Sequence, residues 1–103
     1  MKYAIDFADE AEEDLEGYRP FDRIVILDLI EKHLRHEPTR ESKSRIKALR
    51  GLLRPQYRLR VGNTRIFYDV RGNVVEVIAV VTKSEASRWL KREGLQAESE
   101  DEK

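Results

Sequence analysis

The chain has 103 residues, enough for one domain around a single core and too few for two. It has no cysteine, which excludes a disulfide framework, a thiolate metal site and a thiol nucleophile, and suits a reducing cytoplasm. Twenty basic and twenty acidic residues cancel, the start "MKYAIDFADE" turns acidic too early for a secretion signal, and no apolar run approaches membrane-spanning length, so a cytoplasmic protein without a membrane partner is expected.

"KYAIDF" alternates well enough for an opening strand. In "DEAEEDLEGY", Asp9 and Glu12 stand at capping-box spacing, acids fill the first turn, and Gly17 is placed to stop a helix. Pro20 suits the first turn of a second helix, in which Phe21, Val25, Leu29, Ile30, His33 and Leu34 recur at helical spacing until Pro38. From Glu37 to Gln56 the chain is polar, basic and broken by Pro38, Gly51 and Pro55, so an irregular segment is expected, ordered at most around "IKAL". Strands at 57–61 and 64–70 then flank Gly62-Asn63, a two-residue hairpin turn in which glycine supplies the positive φ of type II′. Past Arg71-Gly72-Asn73, "VVEVIAVVT" is nearly continuously apolar, as a central strand covered on both faces would be. "KSEASRWLKREG" closes the domain as a helix with Trp89 and Leu90 as apolar contacts and Gly94 as its stop.

The order predicts an α+β fold with the helices on one sheet face: an N-terminal strand plus a three-stranded antiparallel meander, packed by an N-terminal helix hairpin and a short C-terminal helix. The domain is expected over 1–94, with 95–103 an acidic, disordered tail. Tyr57 and Tyr68 share the parity of Leu59 and Ile66 and are expected to pack in the core. The opposite parity carries Arg58, Arg60 and Arg65. The turn sets Arg60 opposite Arg65 and Arg58 opposite Phe67, although like charges facing across strands destabilise a sheet.

The charge is also sorted along the chain. Residues 1–32 hold ten acids against four bases, residues 33–65 ten bases against two acids, and "AESEDEK" is acidic again. A basic middle is the footprint of a polyanion partner; the alternative is that the two halves neutralise each other across the fold. His33 and His36, the only histidines, stand at (i, i+3) in a helix's last turn, where positive charge suits the dipole. They have no third ligand nearby, so no metal is expected.

"LRGLLRPQYRLRVGNTRIFYDV" followed by "VVEVIAVVTKSEASRW" resembles the RelE/ParE superfamily of bacterial toxin–antitoxin systems, over roughly residues 2–92. The resemblance implies a type II toxin held inactive by a cognate antitoxin in a hetero-oligomer. RelE-like members cut messenger RNA in the ribosomal A site without metal or other cofactor, and ParE-like members poison DNA gyrase. On the RelE-like branch, Arg58, Arg60, Arg65 and Lys83 (or its neighbour Ser84) fall at catalytic positions, with Arg65 as the phosphate-stabilising arginine. Lys43, Arg45, Lys47, Arg50 and Arg54 then become RNA-binding residues beside the arginine strand, and Trp89 either stacks on a base or packs its helix onto the sheet. The tyrosine that RelE-like toxins carry in the C-terminal helix is replaced here by Trp89 and Leu90, which exchange no proton. That leaves open a gyrase poison or a toxin homologue that only binds its antitoxin.

Overall fold

The computed structural model describes residues 2–96. Gly62 and Asn63 close the hairpin as a two-residue loop, with Val61 facing Thr64 and a φ of +57° at Gly62 alone, as a type II′ turn requires. Strands β4 (Tyr57–Val61) and β5 (Thr64–Arg71) run back from it, and a second turn at Gly72-Asn73 leads into β6 (Val74–Thr82). β1 (Ala4–Phe7) lies parallel to β6 and β2 (Ile46–Ala48) antiparallel to β4. The five strands have the order β1-β6-β5-β4-β2. β2 is the ordered stretch expected around "IKAL", but 37–56 is not otherwise irregular, because β3 (Leu52–Arg54) follows within it.

Helices α1 (Asp9–Glu16) and α2 (Pro20–Leu34) pack against one sheet face, with Ala11, Leu15, Ile26, Ile30 and Leu34 meeting Leu59, Ile66, Tyr68, Val75, Val77 and Val80. Helix α3 (Lys83–Glu93) covers the other face through Trp89, over Phe67, Ile78, Ala79 and Val81. This corrects the expectation of helices on one face only. Trp89 could serve either face by its own periodicity; its neighbours Ala86 and Leu90 find apolar partners only beside Phe67.

One residue of β6 decides which of its side chains serves which core. Phe67 faces Ala79 and Tyr68 faces Val77, so Ile78 is an extra residue, a β-bulge. Side-chain parity therefore inverts along β6: Val75, Val77 and Val80 face α1 and α2, whereas Ile78, Ala79 and Val81 face α3.

Other expectations shift locally. Ala8, not Asp9, is the N-cap of α1, and no side chain caps it, so the Asp9–Glu12 pair does not form a capping box. The buried stripe of α2 is Ile26, Ile30 and Leu34, spaced by four, while Phe21 is 73% exposed and Ile24 and Val25 are also exposed. The helix stops at Leu34, before Pro38, where Arg35 is tied to the residue ahead of β1: its carbonyl accepts from the Tyr3 N–H and its guanidinium donates to the Tyr3 carbonyl. Pro38 is instead buried, and its carbonyl accepts the Tyr68 hydroxyl at 2.6 Å. Leu95 and Gln96, assigned by sequence to the tail, form β7 (Leu95–Gln96), which pairs with β3 (Leu52–Arg54). The rest of that acidic segment, 97–103, lies outside the described residues.

β1 pairs only with Val74–Val77, and α1 closes the edge of β6 beyond it. The Asp14 carboxylate accepts the Val80 N–H at 2.9 Å, satisfying a ladder donor that no strand reaches. Burial, and then the nearby Glu10, Glu13 and Glu85, push the Asp14 carboxyl above its ordinary range despite that bond. The folded state thus favours protonated Asp14: this contribution to stability is complete below the carboxyl's unfolded value and is lost as pH rises through the folded one. Asp14→Asn keeps an acceptor for Val80 without the charge. It is expected to raise the urea midpoint at pH 7.5, with the gain over the parent chain shrinking towards pH 4.

Candidate nucleic-acid interface

Two adjacent rungs of the sheet carry the cations. Lys47, Arg58 and Phe67 line up across β2, β4 and β5, and Arg60 faces Arg65 on the next rung. Directly paired residues share a face, so Lys47 joins the three arginines on the α3 side. Arg45 extends the second rung, since its carbonyl accepts the Arg60 N–H at 2.9 Å and its guanidinium donates to the Arg60 carbonyl at 3.0 Å. Of the bases singled out between 43 and 54, the structure thus brings Lys47 onto the arginine face, while Arg45 touches the rung through the Arg60 backbone and lines the side of α2 with its side chain. Lys43 and Arg50 are exposed on the flanking segments.

Arg65 is the anchored member. It is only 7% exposed, and its Nη1 donates to the carbonyls of Gly62 at 2.9 Å and Thr64 at 3.1 Å, so the hairpin turn itself fixes the guanidinium. Arg58 is half-buried with no hydrogen-bond partner for its Nε, and Arg60 is exposed. Among the described residues none of the three has a carboxylate within ion-pairing distance, whereas Arg35, Arg40, Arg54, Arg71 and Arg92 each have one. Burial and the neighbouring arginines hold Arg65 and Arg58 below the ordinary arginine range. They remain cations at neutral pH, with part of their charge uncompensated.

The one acid on this face of β5 does not relieve them. Asp69 lies four residues along the strand from Arg65, about 13 Å away at strand rise. It accepts from Arg54 Nε at 3.2 Å and from the Gln56 N–H at 2.7 Å. Arg54, grouped by sequence with the RNA-binding bases, is therefore committed to buried Asp69 and to Glu76, away from the arginine rungs. The reason is the 52–56 segment, which crosses the sheet end where Asp69 is and is fastened there again by Gln56 Oε1 accepting the Val70 N–H.

Trp89 is removed from base stacking. Its indole is 3% exposed, lies parallel to Phe67 with centroids 4.9 Å apart, and donates Nε1–H to Glu10 at 2.8 Å. Such a stack contributes about 0.5–1.5 kcal/mol beyond burial. The sequence did not reveal that Glu10 holds the Trp89 indole and Asp14 the edge of β6, because nothing distinguishes them within a run of acids. Lys83 and Ser84 open α3 beside the hairpin tip: the Lys83 N–H donates to the Asn63 carbonyl at 2.8 Å, and both side chains are exposed. Tyr57 and Tyr68 stack on the opposite face, 5.5 Å apart, where burial pushes the Tyr68 hydroxyl far above its ordinary range and takes it out of proton transfer. Among the described residues no group of three or more His, Asp or Glu is placed to hold a metal ion, and no helix is long and apolar enough to cross a membrane.

The arrangement concentrates guanidiniums where no carboxylate of the described residues meets them, which suits a phosphodiester backbone. Removing one charge should stabilise the free chain. Arg60→Gln is expected to raise the urea midpoint at low ionic strength, with the gain disappearing near 1 M salt, where the screening length is about 3 Å. Unfolding at two salt concentrations checks this.

Comparison with known proteins agrees with this architecture. The toxin–antitoxin complex RelBE2 of Mycobacterium tuberculosis contains a chain that superposes with a TM-score of 0.69 at 24% identity, covering 80% of this chain and 99% of that one. A chain of the RelB–RelE antitoxin–toxin complex of Methanococcus jannaschii gives 0.63 at 26% identity, covering 82% and 96%. A free variant of the Escherichia coli toxin RelE gives 0.65 at 24%, covering 90% and 99%. A comparison with curated protein sequences finds no match. The sequence model of the ParE toxin of type II toxin–antitoxin systems matches residues 5–87, a span that includes the whole arginine face. On that match the chain belongs to the ParE toxin family of type II toxin–antitoxin systems, within the RelE/ParE superfamily.

Proposed function

We propose that this toxin acts on ribosome-bound messenger RNA, gripping the scissile phosphate with Arg65 and the flanking backbone with Arg58, Arg60 and Lys47. The observation that carries the reading is the set of three guanidiniums on two adjacent rungs, with no carboxylate partner among the described residues. In the reaction the ribose 2′-oxygen attacks the adjacent phosphorus as its proton departs. The bond to the 5′-oxygen breaks, that oxygen takes up a proton, and a 2′,3′-cyclic phosphate remains. Charge accumulates on the phosphoryl oxygens in between, where a preorganised arginine contributes most. Arg65 fits that task because the turn carbonyls hold it before substrate arrives. Proton transfer falls to water ordered against Arg58 and Lys83, since Trp89 and Leu90 occupy the helix where RelE-like toxins carry tyrosine. The chemistry asks nothing of a metal or cofactor.

The partner that silences the toxin is a cognate antitoxin, as in the RelB–RelE complexes it resembles. A second reading, inhibition of DNA gyrase, is favoured by the ParE family match and by the lack of a tyrosine in α3.

Expression of the chain alone in a bacterium, with growth followed and message ends mapped by primer extension, tests both. Growth arrest is expected with translation-dependent cuts. In Arg65→Ala cleavage should fall by about 10²–10³, the usual loss when one such donor is removed. Arrest without cuts, together with inhibited supercoiling by purified gyrase, would replace the first reading by the second. No arrest would leave a homologue that only binds its antitoxin.

A further inference from the structure

Between the end of α2 and the segment 37–46 lies a depression of about 350 Å³ that the proposed reaction does not use. Its walls bring together Lys32, His33, His36, Arg40 and Arg45, with Glu37 and Glu41 as the acids. Both acids are already engaged: Glu37 accepts from Arg40 Nη1 at 3.2 Å, and Glu41 Oε1 accepts the Ala48 N–H at 3.0 Å. Glu31, near His36 on α2, is held by the Arg35 guanidinium. Among the described residues neither histidine, nor Lys32, has a carboxylate within ion-pairing distance. Arg45 belongs to this wall and, through its two hydrogen bonds with the Arg60 backbone, to the arginine rung as well.

We infer that this depression is a second phosphate site, which takes the backbone of an RNA strand running off the arginine rungs and holds it more tightly as His33 gains a proton. The choice of RNA as ligand rests on the function proposed above; the cation cluster and its contact with Arg60 do not. His33 is kept below its ordinary range by burial, by Arg45 and by Lys32, so it is largely neutral at pH 7. An entering phosphate opposes the two cationic causes, and the negative end of the α2 dipole already favours an imidazolium there. Binding therefore draws protons onto the site, and its strength must follow pH.

The test is an NMR titration of the full chain at pH 5.5 and 7.5, once with inorganic phosphate and once with a short single-stranded RNA. The imidazole signals of His33 and His36 report on the depression, and the backbone amides of Lys47, Arg60 and Arg65 on the arginine face. Both sets are expected to move with RNA, with affinity about tenfold tighter at the lower pH. The variant His33→Asn should bind RNA with that pH dependence lost while the arginine amides still respond. Silent histidines with responding arginine amides would overturn the inference and leave the proposed function standing. Responding histidines with silent arginine amides would keep the site and overturn the arginine reading. A response to phosphate but not to RNA would overturn the assignment to a nucleic-acid strand.

Discussion

A two-residue turn at Gly62-Asn63 leaves the flanking strands one alignment, and the character of the molecule follows from it. Once Val61 faces Thr64, strand alternation places Leu59, Ile66 and Tyr68 in the larger core and compels Arg60 to face Arg65. A slip of one residue would separate the arginines and also turn the apolar set towards the wrong side. An opposed pair of like charges costs about 0.2–1 kcal/mol, small against the 5–15 kcal/mol of a typical domain, so the fold can carry the repulsion. Arg65 even turns the constraint to use, because the carbonyls of that turn position its guanidinium.

Charge segregation along the chain acquires a structural meaning. The acids of α1 do not neutralise the arginines. Asp14 finishes the hydrogen bonding of β6 where β1 ends, and Glu10 reaches around the same edge to hold the Trp89 indole. Asp69 is occupied with Arg54 and the backbone of Gln56. The carboxylates near the sheet thus serve its edges and its far end. The rungs around Arg58, Arg60 and Arg65 keep a positive potential despite a formal net charge of zero.

Where a local rule governs the outcome, the sequence was legible. The hairpin pairing, the glycine turn, Pro20 at the start of α2 and the doubly covered β6 each follow from residues within a few positions of one another. Long-range choices were not. The side of the sheet that α3 covers depends on where Phe67, Ile78 and Trp89 find one another, and Ile78 in turn depends on a bulge that a continuous apolar run conceals. The β3–β7 ribbon joins segments more than forty residues apart, so neither short piece announces it. In the candidate site, the parity of Arg58, Arg60 and Arg65 was readable. The position of Lys47 beside them and the withdrawal of Arg54 were not, because both depend on how the 41–56 segment folds back against β4 and Asp69.

The bulge at Ile78 also determines what kind of change this chain tolerates. With parity inverted at that residue, β6 serves one core with Val75 and Val77 and the other with Ala79 and Val81. Many apolar exchanges at these positions conserve enough volume to be accommodated. The length of each half is another matter: loss of a residue within Val75–Val77 or Ala79–Val81 would turn part of that half to the wrong side of the sheet, whereas loss of Ile78 itself would leave Val77 opposite Tyr68 and Ala79 opposite Phe67 in plain alternation. Relatives can therefore drift in the composition of β6, and can gain or lose the bulge residue, but not change the number of residues in either half.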